Sequence, residues 1–150
     1  MSILAAAFLI TLTPADPQPD LCTLVERLNV VVLRDTGYPP PPCPQIGFAA
    51  LARSTTERSQ AAAFNPATGA VELAADLDLT APFGQSYLLH ELVHAAQYAN
   101  GAQTRASCPA ALEAQAYTVQ ADFLRAHDLG REAVLVQMLA WHLGSCGSPD

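Results

Sequence analysis

The sequence has no lysine, and its seven basic residues, all arginine, stand against 14 acidic residues, which gives a net charge of −7. Nucleic-acid-binding surfaces and polybasic membrane anchors need clustered positive charge, so this composition argues against both classes. The chain has 150 residues, of which 51% are hydrophobic. That is enough apolar material for one domain with a core.

Long hydrophobic runs are also missing. The longest apolar stretch, about ten residues within positions 1–12, is too short to span a bilayer as a helix. It fits the apolar part of a signal peptide, with small residues for cleavage near Ala15. No lysine or arginine precedes the stretch, which leaves a core element of a cytosolic protein as the alternative. We expect a signal peptide at 1–15, a leader at 16–19, one domain at 20–150, export to the periplasm or the extracellular space, and no stable membrane anchor.

The cysteines lack the C-x-x-C spacing, which argues against a cysteine zinc knuckle and a thioredoxin-like site. There are four of them, widely spaced: Cys22, Cys43, Cys108 and Cys146. An even number in a small exported domain predicts two disulfides. Of the three possible pairings we favour Cys22–Cys43 and Cys108–Cys146, because each would tie together the ends of neighbouring elements.

What the chain does contain is the pattern H-E-x-x-H, formed by His90, Glu91 and His94. Residues four apart on a helix lie one above the other, so the two imidazoles can reach the same metal ion. Glu91 points about 100° around the helix axis and can hold a metal-bound water instead. The pattern predicts a zinc-binding helix.

The residues around this pattern predict an interior helix, because most of them are apolar. Pro82 suits its first turn and Gly101 its end. Its polar groups form one stripe: Tyr87, His90, Glu91, His94, Gln97 and Tyr98. Buried polar groups need hydrogen-bond partners or a metal. The alternative reading is a pair of hydrogen-bonded histidines that hold no metal.

The remaining pattern predicts an α+β fold. Helix signals mark Leu21–Arg34, Pro82 up to Gly101, Pro109–His127 and Gly130–Leu143. Strand signals mark Ile46–Ala52, Ala61–Phe64 and Ala70–Ala74, with a hairpin turn at Asn65–Gly69. We expect a small antiparallel sheet of about three strands, packed on the zinc-bearing helix and on the further C-terminal helices.

A catalytic zinc usually has three protein ligands, so the motif needs a partner. The longer pattern H-E-x-x-H-x-x-G-x-x-H is absent, and no third histidine follows. The candidate is Glu113, on the next predicted helix, where it lies on neither the core face nor the outward polar face. The alternative is an exposed glutamate that the helix dipole favours near an N-terminus.

The segment His90–His94, together with Glu113–Tyr117 on the following helix, resembles the gluzincin class of zinc metallopeptidases, including its minimal single-domain members. It also resembles short exported bacterial proteins in which an H-E-L-x-H-x-x-Q helix precedes a Glu-x-x-Ala-Tyr helix. The resemblance covers Ala70–His127. It implies a zincin-like fold, a Zn²⁺ ion bound by His90, His94 and Glu113, Glu91 as the base, a peptide or protein substrate, and a bacterial source.

One residue departs from that family. Gluzincins often have an aspartate four residues after the ligand glutamate, as a partner for a zinc-bound histidine. Here that position is Tyr117. We expect the partner to be Asp76, Asp78 or a backbone carbonyl instead.

The expected reaction is peptide-bond hydrolysis, in which Glu91 moves the proton and a donor stabilises the oxyanion. Tyr117 is the first candidate donor and His142 the second, although His142 could equally be a histidine of the core. A strand edge at Ile46–Ala52 or Ala70–Ala74 could align an extended peptide.

The alternative function is a catalytically weak or inactive zinc-binding or interaction module on the same scaffold. The missing aspartate and the small cleft expected of so short a chain favour it. Glu91 favours the enzyme, because a purely structural zinc site has no use for that carboxylate. Two histidines and a glutamate also suit other divalent ions.

Overall fold

The computed structural model describes residues 19–49 and 61–146 and confirms an α+β architecture. The helices are α1 (Pro19–Thr36), α2 (Pro82–Ala99), α3 (Pro109–Ala126) and α4 (Gly130–Leu143), with a short 3₁₀ turn at Ala102–Thr104. The strands are β1 (Ile46–Ala49), β2 (Ala62–Asn65) and β3 (Ala70–Ala74). The expected signal peptide and most of the leader lie outside the described residues. None of the described helices is long and apolar enough to cross a membrane.

Helix boundaries follow the local chemistry that predicted them. Ala81 is extended and Pro82 occupies the first turn of α2, where its missing N–H costs nothing. After α2 the chain turns at Gly101, whose φ of 66° lies in the left-handed region. Helix α4 has the predicted bounds, and α3 ends one residue before the predicted His127.

The sheet is mixed, so the prediction of an antiparallel sheet was wrong for one strand. Its order is β1-β3-β2. Strands β2 and β3 form the predicted antiparallel hairpin, whereas β1 runs parallel to β3. Strand β1 ends and β2 begins beside the same end of β3, so β2 carries the chain back across the sheet before β3 runs parallel to β1. Strand β3 is therefore central, and β1 and β2 are the edge strands within the part of the chain that the structure describes.

The main core lies between α1, the sheet, α2 and α3. Its fully buried side chains include Val25, Val32, Val71, Leu73, Leu88, Leu89 and Val93. Helix α2 is buried on nearly all sides, as its apolar composition predicted. A second cluster joins α3 to α4 through Ala121, Leu124, Ala133 and Val136.

Both predicted disulfides are confirmed. Cys22–Cys43 ties α1 to the segment before β1, and Cys108–Cys146 ties the start of α3 to the residues after α4. Helix α4 packs chiefly against α3. Within the described residues, the second disulfide is the one covalent cross-link that joins the start of α3 to the end of α4.

Replacing Cys108 and Cys146 together by serine is expected to destabilise the domain by about 2–5 kcal/mol. Because α4 relies on α3 for its packing, amide hydrogen exchange should rise most in α4. The matched control is the double serine variant of Cys22 and Cys43, which should raise exchange near α1 instead. Equal exchange changes in both variants would contradict this local role.

Candidate metal centre

The structure brings His90, His94 and Glu113 together where α3 crosses α2. The Nε2 atoms of the two histidines lie 3.1 Å apart. The Glu113 carboxylate oxygens lie 3.4 Å from His90 Nε2 and 3.3 Å from His94 Nε2. The histidine side chains are buried, whereas the Glu113 side chain is 44% exposed. The carboxylate therefore forms the open side of the group.

These distances fit a single metal ion. In tetrahedral zinc sites the bonds to nitrogen and oxygen are about 2.0–2.2 Å long, which places neighbouring ligand atoms roughly 3.3–3.6 Å apart. The observed separations of 3.1, 3.3 and 3.4 Å lie close to that range. The three residues are thus a group that could hold a metal ion. Several divalent metals accept this set of ligand atoms.

The same group attracts protons when no metal is present. Hydrogen bonds from His90 and His94 hold the pKa of the Glu113 carboxyl well below its usual range, although burial opposes this. Burial acts to lower the pKa of His94, but its hydrogen bond with Glu113 and the nearby carboxylates outweigh burial and raise it. The space between the three side chains therefore favours positive charge, and a metal ion entering it must displace protons.

Glu91 lies beside the three candidate ligands, buried at 7% exposure. Burial is the main cause that raises the pKa of its carboxyl, and the Glu113 charge adds to it. The neighbouring histidines and a hydrogen bond from the Phe64 backbone N–H oppose this shift. A raised pKa makes this carboxylate a stronger base than an exposed glutamate, which suits it to accept a proton beside a metal site.

Two residues that the sequence reasoning missed contact the far side of the histidine rings. Gln97 Oε1 lies 2.8 Å from His94 Nδ1, and Gln120 Oε1 lies 3.1 Å from His90 Nδ1. These amides take the place expected for Asp76, Asp78 or a backbone carbonyl; Asp78 instead accepts hydrogen bonds from Thr80. The sequence did contain a sign of this role: by helical spacing, each glutamine lies on the same face of its helix as a candidate ligand.

The two candidate oxyanion donors differ in their placement. The Tyr117 ring packs against the His90 ring, with centroids 4.4 Å apart, and Tyr117 lines the cleft above the site. His142 is exposed on α4 and is not among the residues that line the cleft. Tyr117 is thus beside the site, and the structure does not bring His142 to it.

An open cleft of about 1050 Å³ lies over the candidate metal centre. Its lining includes the edge strand β2 with the preceding Ala61, and Val136, Leu139 and Leu143 of α4. The lining also includes the candidate metal centre and its neighbours: His90, His94, Glu91, Glu113, Tyr117 and Gln120. Of the two strands predicted to align a peptide, Ala70–Ala74 is central in the sheet, and the described part of the other, β1, does not line the cleft; the strand that lines it is β2.

A protein-family model described as “Domain of unknown function (DUF6647)” matches residues 24–146. This range contains the sheet, α2, α3, α4 and every residue of the candidate metal centre. No curated protein and no solved structure matches the chain.

Proposed function

The chain belongs to the family of domains described as DUF6647, and we propose that it is a zinc-dependent hydrolase of peptide bonds. The observation that carries the proposal is the convergence of His90 Nε2, His94 Nε2 and the Glu113 carboxylate at separations of 3.1–3.4 Å. Glu91, a buried carboxylate, lies next to them and is not needed to complete the ligand set. A site with three ligands and one spare carboxylate is the arrangement that metal-assisted hydrolysis requires.

We further propose that the substrate is an extended polypeptide lying along β2. Ala74 N–H donates to the Ala61 carbonyl, so the backbone N–H and C=O groups of Ala61 and of every second residue after it point toward β3. The backbone N–H and C=O groups of Ala62 and Phe64 therefore point away from β3. The outward backbone groups of β2 border the cleft, where an added strand could pair with them. Glu91 and Phe64 line the same cleft, and the Phe64 backbone acts to lower the pKa of the Glu91 carboxyl, so the carboxylate lies close to this edge.

The zinc ion, Glu91 and Tyr117 have separate roles in the proposed hydrolysis. When bound, a zinc ion would supply a Lewis acid that polarises the scissile carbonyl and lowers the pKa of water toward about 7. Glu91 accepts the proton of the attacking water and delivers it to the leaving amine. Tyr117, beside His90, is the donor proposed for the oxyanion.

The finer fold and the location of the protein are part of the same proposal. The motifs of α2 and α3 resemble those of gluzincins, and on that resemblance we propose that the domain packs in a zincin-like way. Two disulfides support function outside the cytoplasm, because disulfides persist in oxidising compartments.

We expect the purified protein to bind one zinc ion and to hydrolyse an unfolded protein substrate. Elemental analysis measures the metal, and fragment analysis measures cleavage. A chelator should abolish cleavage, and added zinc should restore it, since the ion takes part in the reaction. Zinc binding without cleavage would favour the inactive zinc-binding module. Failure to bind zinc would overturn the proposal.

A further inference from the structure

The two glutamines behind the histidines have their amides held in one orientation. Gln97 is fully buried, and its Nε2 donates to the Leu112 carbonyl oxygen at 3.0 Å. A carbonyl only accepts hydrogen bonds, so the amide nitrogen must be on that side. The oxygen therefore faces His94 Nδ1, which has to be the protonated nitrogen. In a neutral ring this leaves the lone pair on Nε2, toward Glu113.

Gln120 is held by a similar chain of hydrogen bonds, which in this case leads from α3 to α2. Its Nε2 donates to Ser86 Oγ at 3.1 Å, and Ser86 Oγ donates to the Phe83 carbonyl at 2.7 Å. Because that carbonyl uses the serine proton, Ser86 can only accept from Gln120. The amide oxygen of Gln120 thus faces His90 Nδ1, which also carries its proton.

We propose that Gln97 and Gln120 are positioning residues that hold both histidines with the Nε2 lone pair aimed at the metal position. Gln97 belongs to α2 and binds α3 at Leu112, next to the ligand Glu113; Gln120 belongs to α3 and binds α2 at Ser86. The pair therefore fixes the ring orientation and the crossing of the two ligand-bearing helices together. This inference rests on the metal centre of the proposed function and is independent of the hydrolytic step.

The choice of an amide has a chemical consequence. Zinc-bound histidines commonly donate to a carboxylate, which raises the basicity of the ligand nitrogen. An amide oxygen accepts the same hydrogen bond without adding a negative charge. The amides therefore hold the rings in place while leaving the centre more positive than two carboxylates would, which favours polarisation of a bound carbonyl.

The first test is the zinc affinity of variants at Gln120, measured by competition with a chromophoric chelator. Gln120→Leu removes the acceptor and should weaken zinc binding by about 10–100-fold. Gln120→Glu keeps an acceptor for His90, and Ser86 can turn its proton toward the new carboxylate, so affinity should be retained or increased. Gln137→Leu is the matched control, because Gln137 of α4 accepts a hydrogen bond from Arg125 and does not line the cleft. Its zinc affinity should be unchanged.

The second test needs no variant. Nitrogen-15 NMR of the zinc-loaded wild type should show both rings coordinated through Nε2 and protonated at Nδ1. Coordination through Nδ1 in either ring would overturn the inference, as would equal zinc affinity of the wild type and Gln120→Leu. Absence of zinc binding by the wild type would instead overturn the metal centre itself, so the two failures are distinguishable.

Discussion

Replacing Glu91 by glutamine is expected to reduce peptide hydrolysis by about 10²–10⁴-fold while zinc remains bound, because only the proton-transfer group is lost. Glutamine has nearly the same shape and keeps a side-chain oxygen that can accept hydrogen bonds. The measurement is the hydrolysis rate of the unfolded substrate together with zinc content by elemental analysis. Glu72→Gln is the matched control, since Glu72 is exposed on β3 and does not line the cleft.

The same variant has a second expected effect, on stability. Burial raises the pKa of Glu91 above its value in the unfolded chain, so folding favours the protonated carboxyl. The protonated carboxyl therefore stabilises the folded state below the pKa that Glu91 has in the unfolded chain. This stabilisation is lost as the pH rises through the pKa that Glu91 has in the folded protein. At neutral pH the metal-free Glu91→Gln protein should therefore unfold at a higher temperature than the wild type, and the difference should shrink toward pH 4.

If Glu91→Gln hydrolysed the substrate at the normal rate, Glu91 would be ruled out as the base.

Several features of this protein could be read from the sequence because they depend on neighbouring residues. Helix α2 follows from Pro82, Gly101 and the apolar residues around the H-E-x-x-H pattern. The pairing of His90 and His94 follows from helical spacing, and the structure brings Glu113 to them. Both disulfides also followed from the order of the elements.

The features that were missed depend on contacts between distant segments. The parallel pairing of β1 with β3 and the bond between His90 and Gln120, 30 residues away, have no local signal. In α4 several large apolar side chains are exposed instead of facing the core. Large side chains such as Leu135, 65% exposed, and Met138, 55% exposed, point outward.

Small residues of α4 make the contact with α3. Ala133 and Ala140 are buried, and a Cβ on Gly144 would lie 2.2 Å from Ala114 Cβ. This close approach of the backbones turns the bulky side chains away from α3. His142 was expected either beside the site or in the core, and it is in neither place: the residue is exposed.

His94→Ala is expected to abolish zinc binding and hydrolysis together, because two remaining ligands rarely hold a catalytic zinc. The variant removes one Nε2 from the centre and leaves Glu113 with a single histidine partner. His142→Ala is the matched control: it also removes a histidine, but an exposed one that does not line the cleft. It should keep both zinc and activity.

Thermal unfolding with and without zinc gives an independent measure of the same site. A ligand that binds only the folded state stabilises it by about 2.7 kcal/mol at 100 times its dissociation constant. The wild type and His142→Ala should both show such a zinc-dependent increase in unfolding temperature, and His94→Ala should show none. If His94→Ala were stabilised by zinc as strongly as the wild type, the ion would have to bind elsewhere. His90, Glu113 and the two glutamines would then form a hydrogen-bonded polar cluster between α2 and α3 with no role for a metal.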